Sequence, residues 1–157
     1  MTNNNSPLPN QVYLDFAIRF SWHKMSRMYN LVAAEHGITI NIGAILLNVD
    51  KEGTPSTQLG PKMGMEPTSL SRTLKTMEDD GLIERKIDYS DKRKVLIFLT
   101  QAGVQKRKLI KSVINNFNQK LQSIIDPEKL ATCIEVLNTI NDQVESELVE
   151  KNRTHYE

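Results

Sequence analysis

Residues 66–103 limit the folds open to this chain more than any other stretch of the sequence. They read EPTSLSRTLKTMEDDGLIER and then KIDYSDKRKVLIFLTQAG. Pro67 suits the first position of a helix, where its missing N–H has no partner to lose. Leu70, Leu74 and Met77 then recur at intervals of four and three residues, which is the spacing of one apolar stripe on a helix. The first half of this stretch therefore predicts an amphipathic helix with a polar outer face.

A β-hairpin is predicted directly after Gly81, which stands where a left-handed cap would end that helix. Residues 83–87 and 95–99 show the period-two pattern of paired strands on both sides of a polar loop. The loop carries the charged run Asp91-Lys92-Arg93-Lys94, and Thr100 can cap the helix that follows. A polar helix followed at once by a basic hairpin can place the helix in one DNA groove and the hairpin in the next.

This arrangement resembles the winged helix-turn-helix of the multiple antibiotic resistance regulator (MarR) family. The matching residues are Leu59, Met63, Gly64, Met65, Ser69, Leu70, Ser71, Arg72, Gly81-Leu82-Ile83, Asp91-Lys92-Arg93 and Leu99-Thr100-Gln101-Ala102-Gly103. The strongest signal is Asp-x-Arg in the wing with Leu-Thr-x-x-Gly a few residues later. The resemblance implies a homodimeric transcription factor, usually a repressor, that binds double-stranded DNA at a pseudo-palindromic operator. In this family the affinity for DNA often responds to a small ligand or to oxidation.

We expect a mainly α chain with a small β-hairpin wing, in which a winged helix-turn-helix domain is flanked by N- and C-terminal dimerisation helices. Residues 1–157 are interpreted as a single MarR-like unit, with the DNA-binding region at 39–100 and dimerisation helices at 10–36 and 101–151. The first helix carries two apolar stripes, and the terminal helical hairpin adds more apolar surface than one small winged domain needs. A second subunit would cover that surface; the alternative is a monomer whose helices pack only on themselves.

One helix of the predicted helix-turn-helix contains a local conflict. Residues 56–63 should form its first helix, yet they include Gly60-Pro61, where family members usually carry alanine at the position of Gly60. Proline past the first turn removes a backbone hydrogen bond and tends to kink a helix. We therefore expect this helix to be short or distorted.

The predicted DNA-contacting residues lie on two elements. They are Thr68, Ser69, Ser71, Arg72 and Lys75 on the recognition helix, and Asp91, Lys92, Arg93 and Lys94 at the wing tip. Arg72 and Lys75 are expected near base edges in the major groove. By resemblance, Arg93 enters the minor groove while Asp91 holds its guanidinium in place.

Total charge gives this assignment little support. The net charge is +1, and residues 51–103 carry nine basic against eight acidic side chains. The assignment therefore depends on where the charges lie. The acidic run Glu78-Asp79-Asp80 falls at the end of the recognition helix far from its DNA-facing start. The near-neutral charge also leaves open a second class, a protein-interaction module on a degenerate winged-helix fold.

An effector site is predicted on the first helix, where Phe16, Phe20 and His23 lie among several aromatic residues. By resemblance this helix lines the ligand crevice, so a small aromatic or lipophilic compound is the expected effector. Ordinary core or interface packing of the same side chains is the alternative. Cys133, the single cysteine, falls in an apolar stripe and is expected to be a buried, inert thiol. MarR-like peroxide sensors carry their reactive cysteine in the first helix, so its absence there disfavours redox sensing.

The remaining features predict no enzyme. No Ser/His/Asp or Cys/His arrangement, metal-ligand spacing or glycine-rich phosphate loop can be identified, so we expect no cofactor and no metal. Lys106, Arg107, Lys108 and Lys111 are interpreted as a solvated face. No run of 18 apolar residues is present, and the start MTNNNSPLPN lacks the features of a secretory signal. Together with the single cysteine, these features predict a cytoplasmic protein without a membrane partner.

Overall fold

The computed structural model describes residues 13–154, with side chains up to residue 151. Its elements, in chain order, are α1 Leu14–Glu35, α2 Ile40–Asn48, β1 Thr54–Pro55, α3 Ser56–Met63, α4 Pro67–Asp79, β2 Ile83–Ile87, β3 Val95–Leu99, α5 Gln101–Ile124 and α6 Pro127–Thr154. The predicted class, mainly helical with a small β wing, is confirmed. The first ten residues and the start of the helix expected at 10–36 lie outside the described residues.

The wing is a three-stranded antiparallel sheet in the order β1-β3-β2. The predicted hairpin is present, and in it Ile83 pairs with Leu99 and Ile87 with Val95. The short strand β1 is an addition to the predicted hairpin. Thr54 in β1 is buried, and its hydroxyl accepts a hydrogen bond of 2.8 Å from the Asp50 amide, so the preceding turn closes onto the sheet. A two-residue strand has no periodicity, which is why the sequence pattern did not reveal it.

One hydrophobic core holds the helix-turn-helix and the sheet together. It consists of Ile38, Ile42, Ile45, Leu46, Val49, Leu59, Leu70, Leu74, Met77, Leu82, Ile83 and Ile97. The three core residues from α4 are those of its predicted apolar stripe. Their burial fixes which face of α4 points outward, because the opposite face of an amphipathic helix must then meet solvent.

The helix α3 covers the whole predicted range, Ser56–Met63, with Pro61 inside it, so the expected shortening or distortion was wrong. Gly64 ends it with a φ of 60°, in the left-handed region. Gly60 is closely packed, since a Cβ there would lie 3.0 Å from the Met65 carbonyl oxygen, a tight contact that needs a small shift of the neighbouring backbone. The Gly60 carbonyl also accepts a hydrogen bond of 2.9 Å from the Met65 amide. The Gly-Pro pair thus shapes the tight turn that leads into α4.

A joint of three residues connects the end of α4 to the start of α5. The Thr100 hydroxyl donates to the Gly81 carbonyl oxygen at 2.7 Å and accepts from the Gly103 amide at 3.1 Å. Gly103 is buried, and a Cβ at this position would lie 2.1 Å from the Leu82 carbonyl oxygen. Thr100 caps α5 as predicted, and the Leu-Thr-x-x-Gly motif also has a packing role that the sequence pattern alone did not show.

Two cations at the start of α5 are structural, so the prediction that they belong to a solvated face was wrong. Lys106 donates through Nζ to the His36 carbonyl oxygen at the end of α1, at 2.7 Å. Arg107 donates through Nη1 to the Val49 carbonyl oxygen at the end of α2, also at 2.7 Å. A positive charge at a helix C-terminus satisfies carbonyls that have no partner within the helix and complements the helix dipole. Lys108 and Lys111 are exposed.

The chain divides into two compact units, one ending at Lys111 and one beginning at Ser112. The second unit contains the remainder of α5 and α6, joined at Asp126, whose carboxylate accepts from the Glu128 and Lys129 amides and caps α6. Large apolar side chains on α6 are exposed, among them Ile134, Val144 and Leu148.

Cys133 on α6 is exposed, which corrects the prediction of a buried thiol. The apolar stripe to which it belongs is largely uncovered in the single chain, and this explains the error. No single helix among residues 13–154 is long and apolar enough to cross a bilayer; α1 and α2 meet that criterion only as a pair bent by 87°.

Candidate nucleic-acid interface

The outer face of α4 presents short polar and cationic side chains. Thr68, Ser69, Ser71, Arg72 and Lys75 are all exposed. Further along, Thr73 and Thr76 turn their hydroxyls back to the Ser69 and Arg72 carbonyls, at 2.9 and 3.2 Å. The helix begins at Pro67 without a side-chain cap, so its first backbone N–H groups remain free to meet an anion.

The wing tip displays a guanidinium supported by a carboxylate. Arg93 is 92% exposed at the side chain, and its Nε lies 3.2 Å from Oδ1 of Asp91, which is only 27% exposed. The same carboxylate accepts from the Arg93 amide at 3.1 Å, and its other oxygen lies 3.7 Å from Nζ of Lys94. Asp91 therefore orients two cations at once while Lys92 points into solvent. Such surface pairs add little to stability, so their role is in positioning.

Asp88 fixes the turn that precedes these cations. Its Oδ1 accepts from the Ser90 amide at 2.8 Å and from the Ser90 hydroxyl at 2.7 Å. These bonds favour the ionised carboxyl group and hold the pKa of Asp88 below its ordinary value. The Asp88 amide donates to the Lys94 carbonyl at 3.0 Å and extends the β2–β3 ladder towards the tip. The loop is therefore ordered by its own hydrogen bonds.

The acidic end of α4 is partly neutralised by neighbouring cations. Glu78 pairs with Arg85 of β2 at 3.0 Å, and Asp79 lies 3.8 Å from Nζ of Lys75. The pair between Glu78 and Arg85 also ties the end of α4 to the sheet. As predicted from the sequence, these carboxylates stand at the opposite end of α4 from Pro67.

A second candidate site lies along α1. Phe16, Phe20 and His23, the predicted ligand residues, line one concavity of about 480 Å³ together with Arg19, Trp22 and Ser26. The Phe16 and Phe20 rings stack with centroids 6.1 Å apart, and Nζ of Lys24 lies 4.6 Å from the Phe20 centroid.

Ser26 and Arg19 are the polar members of this concavity that the sequence did not single out. The hydroxyl of Ser26 is buried and has no hydrogen-bond partner among the described residues. A buried, unsatisfied hydroxyl is unfavourable unless something completes its hydrogen bond. A serine among aromatic residues has no distinctive sequence pattern, so only the fold could indicate it. Within residues 13–154, no group of three or more His, Cys, Asp or Glu side chains is placed to hold a metal ion.

A helix-turn-helix followed by a β wing with a cationic tip defines the winged helix-turn-helix class. Residues 39–95, which include the helix-turn-helix and most of the wing, match the model of the MarR family. The chain is 30% identical over 103 residues to the HTH-type transcriptional regulator TtmR of Methylorubrum extorquens, covering 65% of this chain and 53% of that protein.

Two further comparisons agree with this assignment. The organic hydroperoxide resistance transcriptional regulator of Bacillus subtilis is 34% identical over 91 residues, covering 57% of this chain and 62% of that one. The chain thus spans between about half and two thirds of the length of these curated relatives. The structure of the S. aureus MepR–DNA complex superposes with a TM-score of 0.75 at 20% identity, covering 83% of this chain and 96% of that chain, which establishes the shared fold.

Proposed function

We propose that this protein is a transcriptional regulator, acting as a repressor, that binds specific double-stranded DNA as a homodimer. The observation that supports this most is the pairing of an exposed polar face on α4 with a wing-tip arginine oriented by Asp91. In this proposal Arg72 and Lys75, with Thr68, Ser69 and Ser71, contact the major groove. Arg93 enters the minor groove, and Lys92 and Lys94 contact phosphates.

Exposed apolar side chains on α1 and α6 support the homodimer. Phe20 and Leu31 are 50% and 64% exposed on α1, and Leu148 is 56% exposed on α6. A monomer rarely exposes this many large apolar residues, whereas a second copy would cover them. A dimer also doubles the phosphate contacts and reads two half-sites of a pseudo-palindromic operator. Light scattering at micromolar concentration should give the mass of a dimer, and a monomer would contradict the proposal.

The concavity on α1 supports a small-molecule effector. Its stacked phenyl rings suit a flat or lipophilic body, while Arg19 and the unpaired Ser26 hydroxyl suit an anionic or hydroxylated end. We therefore propose that an aromatic or lipophilic acid lowers the affinity for DNA. Thermal shift with a panel of phenolic acids and fatty acids tests this. Once a ligand is found, Ser26→Ala and Phe20→Ala should each reduce the shift, and Lys108→Ala on α5 should not.

A chromosomal regulator acts in the cytoplasm, and we place this one there, without enzymatic activity. The relatives that it matches are named as regulators. A protein-interaction module is the second candidate, because the net charge is only +1. Binding to random duplex DNA at two salt concentrations separates them. A regulator binds more weakly as salt rises, because phosphate contacts release counterions, and an interaction module shows no such dependence.

Site variants then test the two parts of the interface on an operator selected from a random DNA pool. Arg72→Ala should flatten the preference among operator variants, since a bidentate arginine–guanine contact contributes about 1–3 kcal/mol of discrimination. Arg93→Ala should weaken binding to nearly all sequences and lower the salt slope by about one unit. Asp91→Ala should also weaken DNA binding, but less than Arg93→Ala does, because the arginine is retained and only loses the carboxylate that orients it. Lys108→Ala is the control, an exposed lysine outside the proposed interface. If Arg93→Ala binds like the parent across the salt titration, the wing does not contact DNA.

A further inference from the structure

The wing tip carries one aromatic residue, Tyr89, that the interface described above does not use. Its side chain is 102% exposed, as much as in an extended peptide. Tyrosine is usually at least partly buried in folded proteins, since its ring is apolar. Ile87, two residues earlier, is also 63% exposed, so the wing displays two apolar side chains beside its charged tip.

Tyr89 and Arg93 lie in the loop beyond the end of the β2–β3 ladder. Ile87 lies opposite Val95 in the β2–β3 ladder. The next pair, Asp88 and Lys94, is joined by a hydrogen bond of 3.0 Å from the Asp88 amide to the Lys94 carbonyl. Residues 89–93 form the loop that this pair closes, so the phenol of Tyr89 and the guanidinium of Arg93 are carried by the same short wing tip.

The backbone on both sides of Tyr89 is held by local hydrogen bonds. Asp88 accepts from the amide and the hydroxyl of Ser90, and the Lys94 amide donates to the Asp91 carbonyl at 2.8 Å. These bonds lie within the loop and do not involve the tyrosine ring. The ring is therefore displayed from an ordered turn, which reduces the entropy lost when a partner contacts it.

We propose that Tyr89 is a second DNA-contacting residue of the wing. Its ring packs against the deoxyribose next to the groove that Arg93 enters, and its hydroxyl donates to a phosphate oxygen. This inference rests on the proposed function, because it needs the wing to contact DNA. It differs from the role of Arg93 in one measurable respect. A phenol is uncharged at neutral pH, so its contact with DNA displaces no counterion.

The test is fluorescence anisotropy on a selected operator and on a random duplex, each titrated at several salt concentrations. Tyr89→Ala should weaken binding about 5- to 20-fold on both duplexes, with an unchanged salt slope, because area and a neutral hydrogen bond are lost but no charge. Tyr89→Phe keeps the ring and should weaken binding about 2- to 10-fold. Tyr13→Ala is the matched control, since Tyr13 is 67% exposed on a different element. Arg93→Ala, with its lower salt slope, is the contrasting variant.

A second measurement needs no variant at Tyr89. Nitration of the four tyrosines, mapped by peptide mass, should slow at Tyr89 when operator DNA is bound and stay unchanged at Tyr13. Equal nitration of Tyr89 with and without DNA, or Tyr89→Ala binding within twofold of the parent at every salt concentration, would overturn this inference. Either result leaves the proposed function standing if the parent binds DNA in a salt-dependent manner. A parent that does not bind DNA overturns both.

Discussion

The joint between α4 and α5 makes Gly103→Ala a sharp test of the structure. An added Cβ would lie 2.1 Å from the Leu82 carbonyl oxygen, whereas real Cβ contacts essentially never fall under 3.0 Å. The neighbouring atom is backbone and cannot rotate away, so α5 and the loop after α4 must separate by about 1 Å. Overpacking of this kind typically costs about 1–3 kcal/mol. Because the separation also lengthens the hydrogen bonds of Thr100, we expect a loss near the upper end of that range.

Urea unfolding, followed by circular dichroism at one fixed protein concentration, measures this loss. The concentration must be held constant because the stability of the proposed dimer would depend on it. Ala102→Gly is the control, since Ala102 is exposed in the same turn and should cost only the helix propensity of about 1 kcal/mol. Thr100→Val removes both hydrogen bonds of the joint and should cost about 1–3 kcal/mol.

The double variant of Thr100→Val and Gly103→Ala distinguishes a shared joint from two separate effects. If both substitutions open the same contact, the second costs less once the first is present, so the losses should not add. Gly103→Ala with a free energy of unfolding within about 0.5 kcal/mol of the parent would refute the packing argument. Full additivity of the two losses would refute the claim that Thr100 and Gly103 act together.

Three further predictions concern other parts of the chain. Arg107→Met should lower the free energy of unfolding by about 1–3 kcal/mol, because the Val49 carbonyl loses a charged hydrogen-bond donor. It should leave the salt dependence of DNA binding unchanged. The control variant Lys108→Met should change neither quantity. Cys133→Ser should preserve DNA affinity, and the parent should have no peroxide response to lose; a genuine, reversible peroxide response that disappears in this variant would contradict that. The pKa of Asp88 is lowered by its hydrogen bonds to Ser90, so the ionised carboxylate stabilises the wing turn fully at pH values above the ordinary pKa of 3.8. This stabilisation should be lost as the pH falls through the lowered pKa. The chemical shift of the Ser90 amide in an NMR pH titration should report the loss.

Much of the fold followed from periodicity in the sequence. The stripe of Leu70, Leu74 and Met77 predicted which face of α4 is buried, and the alternation in 83–87 and 95–99 predicted the hairpin. These predictions succeed because burial of one face of a helix or strand requires apolar residues at regular intervals along the sequence. The helix cap formed by Thr100 could also be predicted from the local sequence, since its hydroxyl accepts a hydrogen bond from an amide only three residues away.

The features that escaped prediction depend on residues far apart in the chain. Lys106 and Arg107 bond to carbonyls 70 and 58 residues away, and nothing in their neighbours distinguishes them from solvated cations. The exposure of Cys133 escaped for a related reason, because an apolar stripe predicts burial without saying whether the covering surface lies in the same chain. The proposed DNA contacts remain predictions, as side-chain exposure shows what can be reached but not what binds.

The acidic end of α4 has a consequence for how DNA is approached. The helix dipole places partial positive charge at Pro67 and partial negative charge at the end where Glu78 and Asp79 lie, so these carboxylates add to the dipole at some cost to helix stability. Over about 20 Å of helix the electrostatic potential therefore changes sign. A phosphate backbone arriving at the acidic end is repelled, and one arriving at the N-terminal end is attracted, within a screening length of about 10 Å. In the proposed complex with DNA, this difference favours approach of the phosphate backbone to the N-terminal end of α4. Although the net charge is only +1, the positive potential lies at the N-terminal end of α4, where the proposed DNA contacts are.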